Sequence, residues 1–269
     1  MTAAAWEWSI LLPALAAGML VAATHVPLGT QVLARGIVFI DLAIAQIAGA
    51  GVLLADRFGF EPQGLGVQMA ALAAALAGAL ALNLTERWWP DVQEAVIGVV
   101  FVLAATGGIL LLASNVHGGE HLQDLLVGQI LWARPQQLAA TALAYAVILA
   151  LWFGIGAKLG RVGFYVLFAC TVTLSVQLVG LYLVFATLIV PPLATRFRHR
   201  HRLFVGWGIA VAGYALGLAI STGMDLPSGP VIVWSLVGVA LSYYAAAGRR
   251  GEAVRAKAMT SPAAAKALR

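Results

Sequence analysis

"QMAALAAALAGALALNL", residues Gln68 to Leu84, contains no charged side chain. With its apolar flank it forms a stretch over 65–84, about the 20 residues a helix needs to cross a bilayer core of ~30 Å. A chain in lipid must satisfy its backbone hydrogen bonds internally, and this stretch lacks the alternation of a barrel strand, so a helix is predicted. Its Ala and Gly content says more. Small side chains let helices approach closely in a medium where the hydrophobic effect does not drive them together. The segment therefore reads as a helix packed inside a bundle. Segment 36–55, with Ala45, Ala48, Gly49 and Val52 at helical spacing, reads the same way.

The rest of the chain extends that reading. Of its 269 residues 62% are hydrophobic and 10% charged, against roughly half and a quarter in soluble domains. The fold class predicted is an all-α polytopic transmembrane bundle of about eight spans: 7–24, 36–55, 65–84, 95–114, 137–156, 164–190, 204–222 and 229–247. Residues 1–248 form the membrane domain. Residues 249–269 form a basic cytoplasmic tail without apolar periodicity, expected to be mobile. The first apolar segment follows no basic n-region and carries Glu7, so it reads as a span rather than a cleaved signal peptide. Cys170 is the single cysteine, which excludes an intrachain disulfide.

The net charge is +5, and its placement is informative. Four arginines lie in "RFRHRHR", Arg196 to Arg202, and six basic residues follow Tyr244. Beside membrane spans such clusters mark cytoplasmic loops, not a nucleic-acid surface. Eight spans with a cytoplasmic C-terminus place the N-terminus inside as well, which leaves Lys158 and Arg161 outside.

Several polar groups interrupt the apolar background. Asp41 lies in "IVFIDLAIAQIAGAG", Ile37 to Gly51. An acid in a span lies near the headgroups, is paired inside the bundle, or is a polar point on a translocation route. Gln46 follows five residues later, which at ~100° per residue places it about 140° away around the helix. "HGGEH", His117 to His121, fits the H-x-x-E-H pattern of inverted zinc peptidases. That chemistry needs both histidines on one helical face, and Gly118 and Gly119 disfavour the helix. Few acids remain downstream to complete such a site: Asp124, Asp225 and Glu252. Still, His117, Glu120, His121 and Asp124 supply nitrogen and oxygen donors suited to zinc or manganese; the bland alternative is a polar loop. The apolar part that follows, Leu122 to Trp132, is too short to cross and is predicted to be a re-entrant or interfacial helix. In "VGLYLVFATLIVPPLATRFRHRHR", Pro191 and Pro192 are expected to break the helix and let the chain leave the membrane. Leu193, Arg196, Phe197 and Arg198 would then lie on a cytoplasmic docking element. "DLPSGPVIVW" reads as a turn before the last span.

From Arg35 to Leu241 the sequence resembles the permease subunits of bacterial ABC importers for zinc, manganese and iron. "RGIVFIDLAIAQIAGAGVLLA" is similar to the second-helix segment of that family. "EAVIGVVFVLAATGGILLLAS", "DLLVGQIL", "VGLYLVFATLIVPPLATR" and "MDLPSGPVIV" resemble further family segments, in the family's order. The resemblance implies a homodimer in the bacterial inner membrane with a pathway on or near the two-fold axis. It also implies cytoplasmic ATPase subunits below and an extracytoplasmic metal-binding protein above. The permease would be no enzyme and hold no permanent cofactor; the sequence has no GxxxxGK[ST] phosphate loop. The 191–202 segment would couple it to the ATPase. Many members carry Asp-x-x-x-His in the second helix, and here Leu42 and Gln46 occupy those positions. Asp41 is displaced by one residue, so it would supply the pathway's charge from another angle, with His117 or His121 replacing the imidazole. Zinc is the leading cargo, with manganese or iron as the others. The competing functions are a permease for siderophore or cobalamin chelates and a stand-alone secondary transporter, which would need more intramembrane charges than Asp41.

Overall fold

The computed structural model describes residues 8–61, 64–112, 130–198 and 200–259, with side chains to 246. Among the described residues every regular element is helical. Helix α1 spans Trp8–Arg35, α2 Ile40–Arg57, α3 Leu65–Trp88 and α4 Gln93–Leu112. After a 3-10 turn at Ile130–Trp132 come α5 Pro135–Gly156 and α6 Lys158–Val179. Then follow α7 Leu181–Ala194, α8 Arg202–Met224 and α9 Ser228–Met259. Seven of these are long and apolar enough to cross a membrane: α1, α3, α4 with its leading turn, α5, α6, α8 and α9 as far as Ala246. The shorter α2 carries Asp41, Asp56 and Arg57 and packs between α3 and α4. The all-α polytopic bundle is thus observed, and α9 runs on past residue 248 to Met259.

Two readings of the sequence are corrected here. Segment 164–190 is not one span: it divides at Gly180, whose φ of 85° and ψ of 162° suit glycine alone. The apolar string runs on unbroken through this point, so hydropathy cannot show the division. Pro191 and Pro192, in turn, do not end α7, which continues to Ala194 with both rings buried. A proline leaves the carbonyl four residues earlier without its helical donor. For Pro192 that carbonyl belongs to Leu188, and α1 covers it with Gly29, where a Cβ would lie 1.8 Å from the oxygen. Thr195 donates its hydroxyl to the Pro191 carbonyl at 3.0 Å and closes the last turn.

The topology is corrected as well. α5 and α6 form an antiparallel hairpin: Tyr145 is hydrogen-bonded to Ser175, and Gln137 reaches the Gln177 carbonyl. Its tip is the reversal at Gly160, with φ 62° and ψ −158°. There Arg161 meets Glu86 near the end of α3, which also faces Arg35 at the end of α1. α8 runs antiparallel to α1, with Gly206 against Val26 and Gly18 against Tyr214. Arg202 therefore begins α8 on the face where Arg35 ends α1. One face carries Arg35, Arg87, Lys158, Arg161 and the arginines from 196 to 202. Among the described residues only Arg57 and Arg134 lie at the other. Lys158 and Arg161 join the basic face, and Trp8 starts α1 at the opposite one. The parity changes because the 164–190 segment goes in as α6 and returns as α7.

Candidate functional site

The start of α2 is assembled from three helices. α1 ends at Arg35, and Gly36, with φ 70°, turns the chain back. Phe39 then stacks on Phe185 of α7 at 6.3 Å between ring centroids and 9° between planes. The Phe39 N–H donates to Glu94 Oε1 at 3.2 Å, so a carboxylate from the first turn of α4 sits at the N-terminus of α2. A negative charge is favoured there by the helix dipole. Two residues on, Asp41 is fully buried.

This corner holds three carboxylate oxygens with no hydrogen-bond partner: both of Asp41 and Oε2 of Glu94. Glu94 reaches this end of α2 across the α2–α4 contact. Among the described residues neither acid has a cationic partner. Burying an ionised carboxylate unpaired costs several kcal/mol or more, and a cation entering the corner would offset that cost. Oxygen donors of this kind accept divalent ions from manganese to zinc.

Gln46 is half-buried on α2 and, as its spacing requires, on a different side from Asp41. His117, Glu120, His121 and Asp124 lie outside the described residues, as do Leu122, Leu125 and Leu126 of the expected interfacial helix. Leu112, the last described residue before them, stands at the opposite end of α4 from Glu94, about 27 Å along the axis. The described end of the expected interfacial helix is the turn Ile130–Trp132, in which Ile130 is buried and the turn packs against α1 and α9. Among the described residues no three His, Cys, Asp or Glu side chains come together.

Two polar residues escaped the sequence reading. Glu94 falls one position before the predicted span 95–114, where an acid looks like an ordinary headgroup-level residue. Its pairing with the Phe39 N–H is 55 residues away in sequence and has no local signal. His25 is fully buried in α1. Its Nδ1 lies 2.9 Å from the Val21 carbonyl, which can only accept, so Nδ1 carries the proton and Nε2 the lone pair. That Nε2 is buried without a partner.

On the basic face, the residues after α7 divide by chemistry. Pro191 and Pro192 are buried, Leu193 is 40% exposed, and Phe197 and Phe204 are each 69% exposed. The arginines between them fold the loop onto itself. Arg196 stacks on the Phe197 ring at 4.4 Å. Arg198 donates to the Arg200 carbonyl at 3.2 Å and to the Tyr243 hydroxyl at 3.0 Å. Arg202 donates to the Pro192 carbonyl at 3.2 Å. Cationic side chains thus hold the loop while apolar ones are presented outward.

Comparison with known proteins supplies the last observation. The sequence profile of the ABC 3 transport family matches residues 7–155 and 150–247. A protein of Chlamydia trachomatis serovar D described as a "Probable metal transport system membrane protein" is 24% identical over 229 residues, 76% of this chain and 78% of that protein. One of Thermotoga maritima with the same description is 27% identical over 253 residues, 84% of this chain and 86% of that protein. Among solved structures, PsaBC from Streptococcus pneumoniae in complex with Fab superposes with a TM-score of 0.72 at 20% identity, covering 88% of this chain and 92% of that one. That last likeness is one of fold.

Proposed function

The chain belongs to the ABC 3 transport family, and from that membership we propose that it is the membrane-spanning permease subunit of an ATP-driven importer of divalent metal ions. Zinc is the leading cargo, with manganese or iron as the others. The observation that carries the reading is the corner of Asp41 and Glu94, where three buried carboxylate oxygens have no partner. The passing ion is the missing partner, held briefly by few donors and therefore released readily.

The basic face is the cytoplasmic one by the positive-inside rule, and the membrane proposed is the bacterial inner membrane. Cytoplasmic ATPase subunits dock on the apolar side chains around Leu193 and Phe197. An extracytoplasmic metal-binding protein delivers the ion at the opposite face. Two copies of the permease form the translocation unit. ATP hydrolysis belongs to the separate subunit, and the permease itself is no enzyme.

The test is reconstitution of the permease with its ATPase and binding protein in liposomes. ATP hydrolysis is measured with the binding protein loaded with zinc, manganese or iron in turn. Stimulation should be strongest with zinc. Stimulation by manganese or iron alone would reassign the cargo, and none by any metal would remove the importer reading.

A further inference from the structure

We propose that the cavity between the end of α1 and the tip of the α5–α6 hairpin binds the phosphate group of an anionic phospholipid. The cavity measures about 270 Å³ and is lined by Gln31, Arg35, Trp152, Gly156, Gly160 and Phe164. That is below the ~300–1,000 Å³ of sites for drug-sized ligands and suits one small polar group. Its space comes from the hairpin, since two of the lining residues have no side chain and the reversal at Gly160 requires glycine.

The charge at this site is incompletely matched. Arg35 Nη1 and Arg161 Nε each lie 3.9 Å from the same oxygen, Glu86 Oε2. At that distance neither makes a hydrogen bond, and the oxygen is left without one. Two guanidinium groups therefore share one carboxylate, with a positive charge in excess. Arg35 is also fixed in orientation, its guanidinium lying 4.3 Å over the Phe164 ring. The ring contacts the guanidinium carbon and accepts no N–H hydrogen bond, which leaves the N–H edge available. Among the described residues no acceptor bonds to that edge. A planar fork held in place, beside a second one, is the arrangement that matches phosphate oxygens bidentately.

Position selects lipid as the source. The cavity opens at the basic face, where helices α1, α5 and α6 meet the membrane surface. Trp152 and Phe164 form its apolar wall, and Phe153 and Ile155 on the same helix end are exposed. A headgroup phosphate seated on the arginines leaves its acyl chains against these side chains. Basic pockets between transmembrane helices on the cytoplasmic side hold anionic headgroups in this way.

The test uses the full chain in phosphatidylcholine vesicles containing equal fractions of brominated phosphatidylglycerol or brominated phosphatidylcholine. Quenching at Trp152 is taken as the difference between the chain and its Trp152→Phe variant. Phosphatidylglycerol should be preferred about fivefold, the effect of one uncompensated basic residue at a membrane surface. The Arg35→Gln/Arg161→Gln variant should show no preference. Equal quenching by both lipids in the unaltered chain overturns the proposal. If the double variant does not insert, Arg161→Gln alone, at the exposed hairpin tip, removes the excess charge and should take away most of the roughly fivefold preference, and an unchanged value counts against the site. Inorganic phosphate, at ionic strength matched with chloride, should leave the preference intact. If it abolishes it, the site takes free phosphate and the lipid assignment is wrong.

Discussion

Gly29 of α1 lies directly against the backbone carbonyl of Leu188 in α7, so that a Cβ there would stand 1.8 Å from the oxygen and 3.0 Å from Pro192 Cγ. Gly29→Ala must therefore push α1 and α7 apart. Overpacking of this kind costs about 1–3 kcal/mol. Gly98 on α4 is the control, because a Cβ there meets nothing within 4 Å. Thermal unfolding in detergent should show a lowered midpoint for Gly29→Ala and none for Gly98→Ala. Equal midpoints would mean that the α1–α7 contact is loose.

Asp41→Asn removes the buried charge while keeping the shape, and Glu94→Gln keeps the acceptor for the Phe39 N–H. Both variants should insert normally and lower zinc accumulation, by about tenfold for Asp41 if it behaves as metal-site residues do. Uptake is measured at matched expression. Undiminished uptake in both would take this corner off the translocation route.

On the basic face, Leu193→Glu and Phe197→Glu should release the ATPase in co-purification, since both side chains are presented outward. Arg198→Ala should retain it. Its two hydrogen bonds are internal to the permease and exposed to solvent, so losing them leaves the outward-facing apolar side chains in place. Release by Arg198→Ala alone would reverse the assignment of packing over charge.

Much of this bundle is legible in the sequence because lipid imposes a simple rule. The stretch 65–84 is α3 with a few residues added at its end, and the predicted 229–247 lies within α9. The rule fails where the chain changes direction inside an apolar run. Gly180 is surrounded by Val179 and Leu181, and nothing in their hydropathy marks a reversal. The prolines mislead for the opposite reason: Pro191 and Pro192 are strong local signals, overridden because α1 packs against the carbonyl they free. At the candidate site Asp41 is visible as a charge in an apolar string. Glu94 is not, because its role arises from a contact between helices far apart in sequence.

Gly180 offers a direct check on that reversal. Its φ of 85° and ψ of 162° lie where a side chain is strained, at a cost of about 1–3 kcal/mol. Gly180→Ala should lower the unfolding midpoint and weaken the packing of Phe185 on Phe39, read as faster proteolysis between α1 and α2. A midpoint equal to that of the unaltered chain would place the break elsewhere.

The α5–α6 hairpin has a consequence for assembly. The Tyr145 and Ser175 hydroxyls are hydrogen-bonded to each other and to the Thr171 carbonyl across a turn at Gly160, and the Thr171 hydroxyl donates to the Leu167 carbonyl, all within one continuous stretch of chain. The two legs can therefore enter the bilayer together, as a unit whose polar groups are already matched, before α7 to α9 arrive. A hydroxyl stranded in hydrocarbon would resist insertion; paired at synthesis, these three carry no such barrier. The later helices α7 to α9 then have a finished wall to fold against, and α6, the most buried of the candidate spans among the described residues, is in place before α7 is made.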